Sequence, residues 1–219
     1  MAPRTNQAGD ALIDGLEPDF GGLAEAEESS HKGPATIGRQ KKDKGGASYG
    51  TYQFFSKRGA LGEFLRSSGY DAQFAGLTPD TPAFDATWVA LADGDPEFGK
   101  AQKRYVLKTY YERPMERLRR EGVDLSTRGR AAREAVFATS IQHGQNSELL
   151  AHALAGLDLK TATDRQIVDA IQTYKLDNVD KNFPNSADDQ RRRIARDRTR
   201  LDAIVGAEEL MALGIPLFP

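Results

Sequence analysis

Apolar positions recur at helical spacing along most of this 219-residue chain. In "SKRGALGEFLRSSG" (56–69), Ala60, Leu61, Phe64 and Leu65 share one face, and Gly69 follows as a C-terminal stop. "TPAFDATWVALADG" (81–94) opens with Thr81 as N-cap and Pro82 at the first helical position, and turns Phe84, Trp88 and Leu91 inward. "DPEFGKAQKRYVLKTYYERP" (95–114) repeats the device with Asp95 and Pro96. It buries Phe98, Ala101, Tyr105 and Val106, and Pro114 is expected to end or kink it. "TRGRAAREAVFATSIQHG" (127–144) is apolar on nearly every side, the pattern of a central helix. "SELLAHALAG" predicts a short helix, and "TDRQIVDAIQTYKL" one opened by a capping box, Thr163 to Gln166, with Ile167, Ile171 and Tyr174 in line. A last long helix runs from Ser186 to Gly206, with Ile194, Leu201, Ile204 and Val205 on one face and six arginines on the other.

One segment breaks the pattern. Glycines at 33, 38, 45, 46 and 50 disfavour helix, each costing about 1 kcal/mol relative to alanine. The interleaved Thr, Ile, Tyr and Phe predict short strands joined by tight turns. A short helix through "GGLAEAEESS" precedes it. Residues 1–20 are polar and weakly periodic and predict a flexible leader; 21–206 form one mainly helical domain, and 207–219 a C-terminal tail.

Composition narrows the classes. A formal net charge of -2 with 28% charged residues points to neither nucleic acid nor membrane, and no apolar run reaches the roughly 18 residues of a span. The absence of cysteine removes thiolate metal sites and a cysteine nucleophile. His31, His143 and His152 lack metal-ligand spacing, so no metal or other cofactor is expected. The arginines of the last helix alternate with Asp188, Asp189, Asp197 and Asp202, the pattern of surface ion pairs. The amino terminus has no basic region followed by an apolar stretch, so no cleaved leader is expected.

Candidate chemistry begins with Glu28 and Asp43. Glycosidic cleavage needs one protonated carboxyl for the leaving oxygen and one ionised carboxyl as nucleophile or as base for water. Among 32 acidic residues, however, a Glu and an Asp 15 positions apart carry little weight by spacing alone. Gln142 and His143 close the central helix at Gly144, where they either line a cleft or cap the helix. Tyr174 lies on an apolar stripe and reads as core or as ligand contact.

"ESSHKGPATIG…KDKGGASYGTYQF" resembles the start of the lysozyme-superfamily domains of phage lysins and secreted antibacterial effectors. It is similar to goose-type lysozymes, lytic transglycosylases and chitosanases. The matching positions are Glu28-Ser29, Gly33 to Ile37, Asp43 with Gly45-Gly46, and Ser48 to Gln53. "AVFATSIQHGQN" and "IVDAIQTYKLDNV" resemble later helices of the same group. Glu25 and Glu27 stand close by, and the spacing to Pro34 selects Glu28.

The resemblance implies a mainly α, α+β lysozyme-like fold: a helical bundle with a small β-hairpin flanking an active-site cleft. It implies a monomeric peptidoglycan hydrolase, with Glu28 as general acid and Asp43 activating water. Inversion follows if the two carboxyls stand roughly 6.5–9.5 Å apart. Ser48, Tyr49, Gln53, Gln142, His143 and Tyr174 are the implied substrate contacts. A lytic transglycosylase, a chitosanase and a non-catalytic wall-binding or tail domain are the alternatives. Lys32, Arg39, Lys41, Lys42 and Lys44 make a basic rim that favours anionic cell wall over cationic chitosan. The resemblance implies action in the periplasm or on the wall after delivery by a phage particle, holin or contractile secretion apparatus, with an immunity protein as a further partner.

Overall fold

A computed structural model describes residues 13, 16–29, 32–39, 46–57 and 59–216, except for the side chains of residues 28 and 29. These residues group into two compact units, one formed by residues 24–108 and the other by residues up to 23 together with 109 onward.

Residues 24–108 hold the only strands among the described residues: β1 (Ile37–Gly38), β2 (Ser48–Tyr49) and β3 (Phe54–Phe55), an antiparallel sheet in that order. Ile37 pairs with Tyr49, and Tyr49 with Phe54. Before them runs α1 (Gly22–Ser29); after them come α2 (Ala60–Ser68), a 3-10 turn (Asp71–Phe74), α3 (Pro82–Gly94) and α4 (Pro96–Leu107). The predicted caps are present. Thr81 accepts from Phe84 N, Asp95 accepts from Glu97 N, and Gly69 ends α2 in the left-handed conformation. Trp88 is fully buried, with Tyr49, Phe64 and Phe98 packed on it at centroid distances of 5.2, 5.9 and 4.8 Å.

Pro114 neither simply ends nor kinks the helix before it. The backbone widens into a π turn over Lys108–Glu112 and restarts as α5 (Arg113–Arg120), with Pro114 in its first turn. A wider turn removes the clash between the proline ring and the carbonyl four residues earlier.

The second unit is built on α6 (Arg130–His143), whose residues Ala131 to Ser140 are buried apart from Arg133. Around it are α7 (Leu149–Leu154), α8 (Asp164–Asp177), α9 (Val179–Asn182) and α10 (Ala187–Ala212). The Thr163–Gln166 capping box opens α8. Helix α10 continues six residues past Gly206, because its extension has work at the start of α6. Glu208 accepts hydrogen bonds from Arg130 N and Ala131 N there, and Glu209 binds Arg165.

The arginine face of α10 is laced with ion pairs as expected: Arg191 to Asp188 at 3.0 Å and Arg198 to Asp169 at 2.6 Å. Asp197 departs from that pattern, being buried against the equally buried Lys175 of α8 at 3.4 Å. Within the expected leader, Phe20 is buried against Tyr111 and Phe137, with centroids 5.0 and 5.8 Å away. The fold is α+β and helix-dominated, as the resemblance implied.

Candidate active site

The backbone of Glu28 lies in the last turn of α1, so its position on the helix is defined; Asp43 lies outside the described residues. Glu25 lies three positions earlier on α1. Its carboxylate accepts from the Tyr52 hydroxyl at 2.7 Å, and the Lys103 ammonium stands 3.9 Å away. Glu25 is thereby committed to neighbours within its own unit. These groups, with Gly33, Pro34 and Thr51, line a cavity of about 330 Å³.

The turn after β2 brings Ser48 and Gln53 together. The Ser48 hydroxyl donates to Gln53 Oε1 at 2.5 Å, and Gln53 Nε2 donates to the Gly50 carbonyl at 2.8 Å. Gln53 itself adopts a left-handed φ of 52°. Gly50 has to be glycine: its φ is 77°, and a Cβ there would sit 2.3 Å from Gln102 Oε1 and 3.0 Å from Trp88. Gln102 ties this turn to α4. Fully buried on α4, it accepts from Thr51 N at 3.1 Å and donates to the Pro34 carbonyl at 3.2 Å. Trp88 Nε1 donates to the same carbonyl at 2.8 Å.

Tyr49 sits deeper than its neighbours. Its ring is fully buried, its hydroxyl donates to Asp85 at 2.7 Å and accepts from Asp80 N at 2.8 Å. Burial, then the bond to Asp85, pushes the hydroxyl far above its ordinary pKa, so it remains a donor. Arg39 closes the same network, 3.0 Å from Asp80 and 2.5 Å from Asp85. Its charge is therefore matched by two carboxylates and adds little to a basic rim. Lys41, Lys42 and Lys44 lie outside the described residues.

In the helical unit, Gln142, His143 and Tyr174 line a single cavity of about 330 Å³, alongside His152, Asn178 and Phe183. The first pair closes α6 and the tyrosine comes from α8, so the fold joins positions more than 30 residues apart. Gln142 Nε2 donates to Gln190 at 2.7 Å, which fixes the amide. His143 packs on Phe183 with centroids 5.0 Å apart. Burial, then the positive charges of Lys175 and Arg193, lowers its pKa to about 4, so the ring is neutral near neutrality. A cavity of this size is at the small end of ligand sites, with aromatic faces and planar amides suited to a sugar ring.

Sequence reasoning passed over Tyr52, His152 and Asn178. His152 lies in a helix whose visible signal was the apolar stripe, and Asn178 caps the end of α8. Tyr52 sat inside the quoted motif, and its proximity to Glu25 was the missing information. Among the described residues no group of three or more His, Asp or Glu could hold a metal ion, and no helix is long and apolar enough to cross a membrane.

Comparison with known proteins places these features in context. Residues 20–201 match the family described as type VI secretion system spike protein VgrG3-like, C-terminal. The chain is 33% identical over 168 residues to the type VI secretion system spike protein VgrG3 of Vibrio cholerae. That alignment takes in 76% of this chain but only 16% of the longer relative. In structure, the chain resembles native chitosanase from Bacillus subtilis MY002, with a TM-score of 0.63 and 19% identity over 89% of this chain and 92% of that one. It also resembles a GH46 chitosanase of Gynuella sunshinyii in complex with chitotetraose, with a TM-score of 0.57 and 14% identity over 98% and 90%. The fold is thus the lysozyme-like one of the GH46 chitosanases.

Proposed function

The chain belongs to the family of VgrG3-like C-terminal domains of type VI secretion system spike proteins, and from that premise we propose that it is a glycoside hydrolase cutting the β-1,4 glycan strands of peptidoglycan. The observation that carries the reading is the pairing of a chitosanase fold with membership in a spike-domain family. Residues 21–206 are the catalytic domain, working as a monomer without a cofactor. Glu28, at the end of α1, donates a proton to the leaving oxygen, and Asp43 activates the attacking water. Ser48 and Gln53 are substrate contacts within residues 24–108, and Gln142, His143 and Tyr174 are substrate contacts around the cavity of the helical unit. Tyr49 serves by holding the strand that carries Ser48. Delivery by a secretion apparatus to the periplasm is part of the same reading, with an immunity protein as a partner of the delivered domain.

The fold favours one rival, cleavage of chitosan, because the structural relatives are chitosanases. Incubating purified protein with peptidoglycan sacculi and with soluble chitosan separates the two. We expect release of soluble fragments from sacculi, little from chitosan, and at least about a hundredfold loss on sacculi for a folded Glu28→Gln variant, the lower range for general-acid catalysis. Turnover of chitosan alone, or sacculus lysis untouched by Glu28→Gln, would contradict the proposal.

A further inference from the structure

Glu134 is a fully buried carboxylate in the middle of the apolar helix α6, and neither of the candidate sites uses it. Its Oε1 accepts a hydrogen bond from Gly21 N at 2.7 Å, across 113 residues of sequence. Gly21 immediately precedes α1, the helix whose last turn holds Glu28. The first N–H groups of a helix have no partner within it, and negative charge is favoured at that end. Glu134 supplies an acceptor at this point.

The contact is one of a set. Arg130, one turn before Glu134, places Nη2 3.5 Å from Glu134 Oε1 and donates to Asp19 Oδ2 at 2.6 Å and to the Asp19 carbonyl at 3.1 Å. Arg133 donates to Glu17 at 2.6 Å and lies over the Phe20 ring, 5.8 Å from its centroid. Gly21 turns with φ +89°, and a Cβ there would stand 3.0 Å from the Phe137 ring. Side chains of α6 thus grip residues 17–21 by two ion pairs, an aromatic contact and one buried hydrogen bond. The hydrogen bond is the member that meets the backbone directly at the helix entry.

We propose that Glu134 is a positioning residue: it fixes the start of α1 and, through it, the placement of Glu28. This rests on the reading of Glu28 as the general acid. Glu28 lies seven positions on from Gly21, about 10 Å along the helix at 1.5 Å per residue. A reorientation of about 10° at the start therefore moves the far end by roughly 2 Å. A misplacement of 1 Å suffices to cost about a hundredfold in rate.

The test compares Glu134→Met, which keeps the volume and removes the acceptor, with Glu134→Gln, whose amide oxygen can still accept from Gly21 N. Two readouts are taken on the whole chain: amide hydrogen exchange, and kcat and KM on sacculi. In the unmodified protein the Gly21 amide is expected to be protected. Glu134→Met should speed exchange at least tenfold over residues 21–28 while the interior of α6 stays protected. It should lower kcat by about ten- to a hundredfold with KM within twofold. Glu134→Gln should restore most of both. An unprotected Gly21 amide in the unmodified protein, or an unchanged kcat in Glu134→Met, would overturn the proposal. So would equal damage in the Met and Gln variants. If the unmodified protein leaves sacculi intact, the enzymatic reading fails instead, and the exchange arm still reports on the anchor.

Discussion

Residues 24–108 close around Trp88, with Tyr49, Phe64, Phe74 and Phe98 at centroid distances from 4.8 to 6.1 Å. The buried polar side chain on α4, Gln102, finds backbone partners. The helical unit is built the other way. Alongside its aliphatic side chains it buries Glu134, Gln172, Lys175 and Asp197, each no more than 1% exposed. The first core depends on ring volume and shape. The second depends on keeping charges paired, so its stability responds to pH and to loss of a partner. A fold that buries ionisable groups beneath its helices holds geometry firmly, and is correspondingly exposed to single polar substitutions.

The sharpest way to break the comparison is to remove one member of a buried ion pair. Asp197→Leu leaves Lys175 buried without the carboxylate 3.4 Å away and should destabilise the protein by about 3–5 kcal/mol in denaturant unfolding. Lys175→Met combined with Asp197→Leu should recover most of that loss. Equal destabilisation by the single and double variants would show that volume, and not charge, governs this core.

Titration offers the next contrast. Burial raises the Glu134 pKa to about 7 from an ordinary 4.5, so the folded state keeps a proton that the unfolded chain has lost. Its contribution is complete below pH 4.5 and is lost as pH rises through 7. His143 behaves oppositely: its pKa falls to about 4 from 6.5, so its contribution is complete above pH 6.5 and is lost as pH falls through 4. Each amounts to about 3 kcal/mol at most, and between pH 4.5 and 6.5 they oppose. Glu134→Gln should therefore make stability climb with pH across that window, and His143→Gln should make it fall. Identical pH slopes in both variants and the parent would remove titration from the account.

In the aromatic unit, Trp88→Phe deletes the donor to the Pro34 carbonyl and part of the ring, and should cost about 2 kcal/mol. This cost should stay the same at pH 5 and pH 7; a strong pH dependence would blur the distinction between the units. The smallest expected effect is at the surface. Thr163→Ala removes the capping-box hydroxyl of α8 and should cost about 1 kcal/mol.

Features that rest on local chemistry were readable from the sequence. Thr81-Pro82, Asp95-Pro96 and Thr163 with Gln166 announce their helix starts, because capping uses residues two or three positions apart. The all-round apolarity of "AAREAVFATS" announces a central helix. Nothing in that run marks Glu134 and Arg133 as anchors, since their partners, Gly21 and Glu17, lie more than 110 residues away. Lys175 and Asp197 hid for the same reason, each among charged neighbours on a helix. Three of the candidate positions, Gln142, His143 and Tyr174, line one cavity. Tyr49 is an implied substrate contact by its place in the motif, and the partners of its hydroxyl, Asp80 and Asp85, lie more than 30 residues away, where the motif does not reach.

The central claim is hydrolysis of peptidoglycan with Glu28 as acid and Asp43 as base, and mass spectrometry of fragments from digested sacculi tests it most directly. The account predicts fragments ending in reducing muramic acid, absent from digests with Glu28→Gln and severely reduced with Asp43→Asn. Fragments ending in 1,6-anhydro muramic acid, formed equally well by Asp43→Asn, would contradict it.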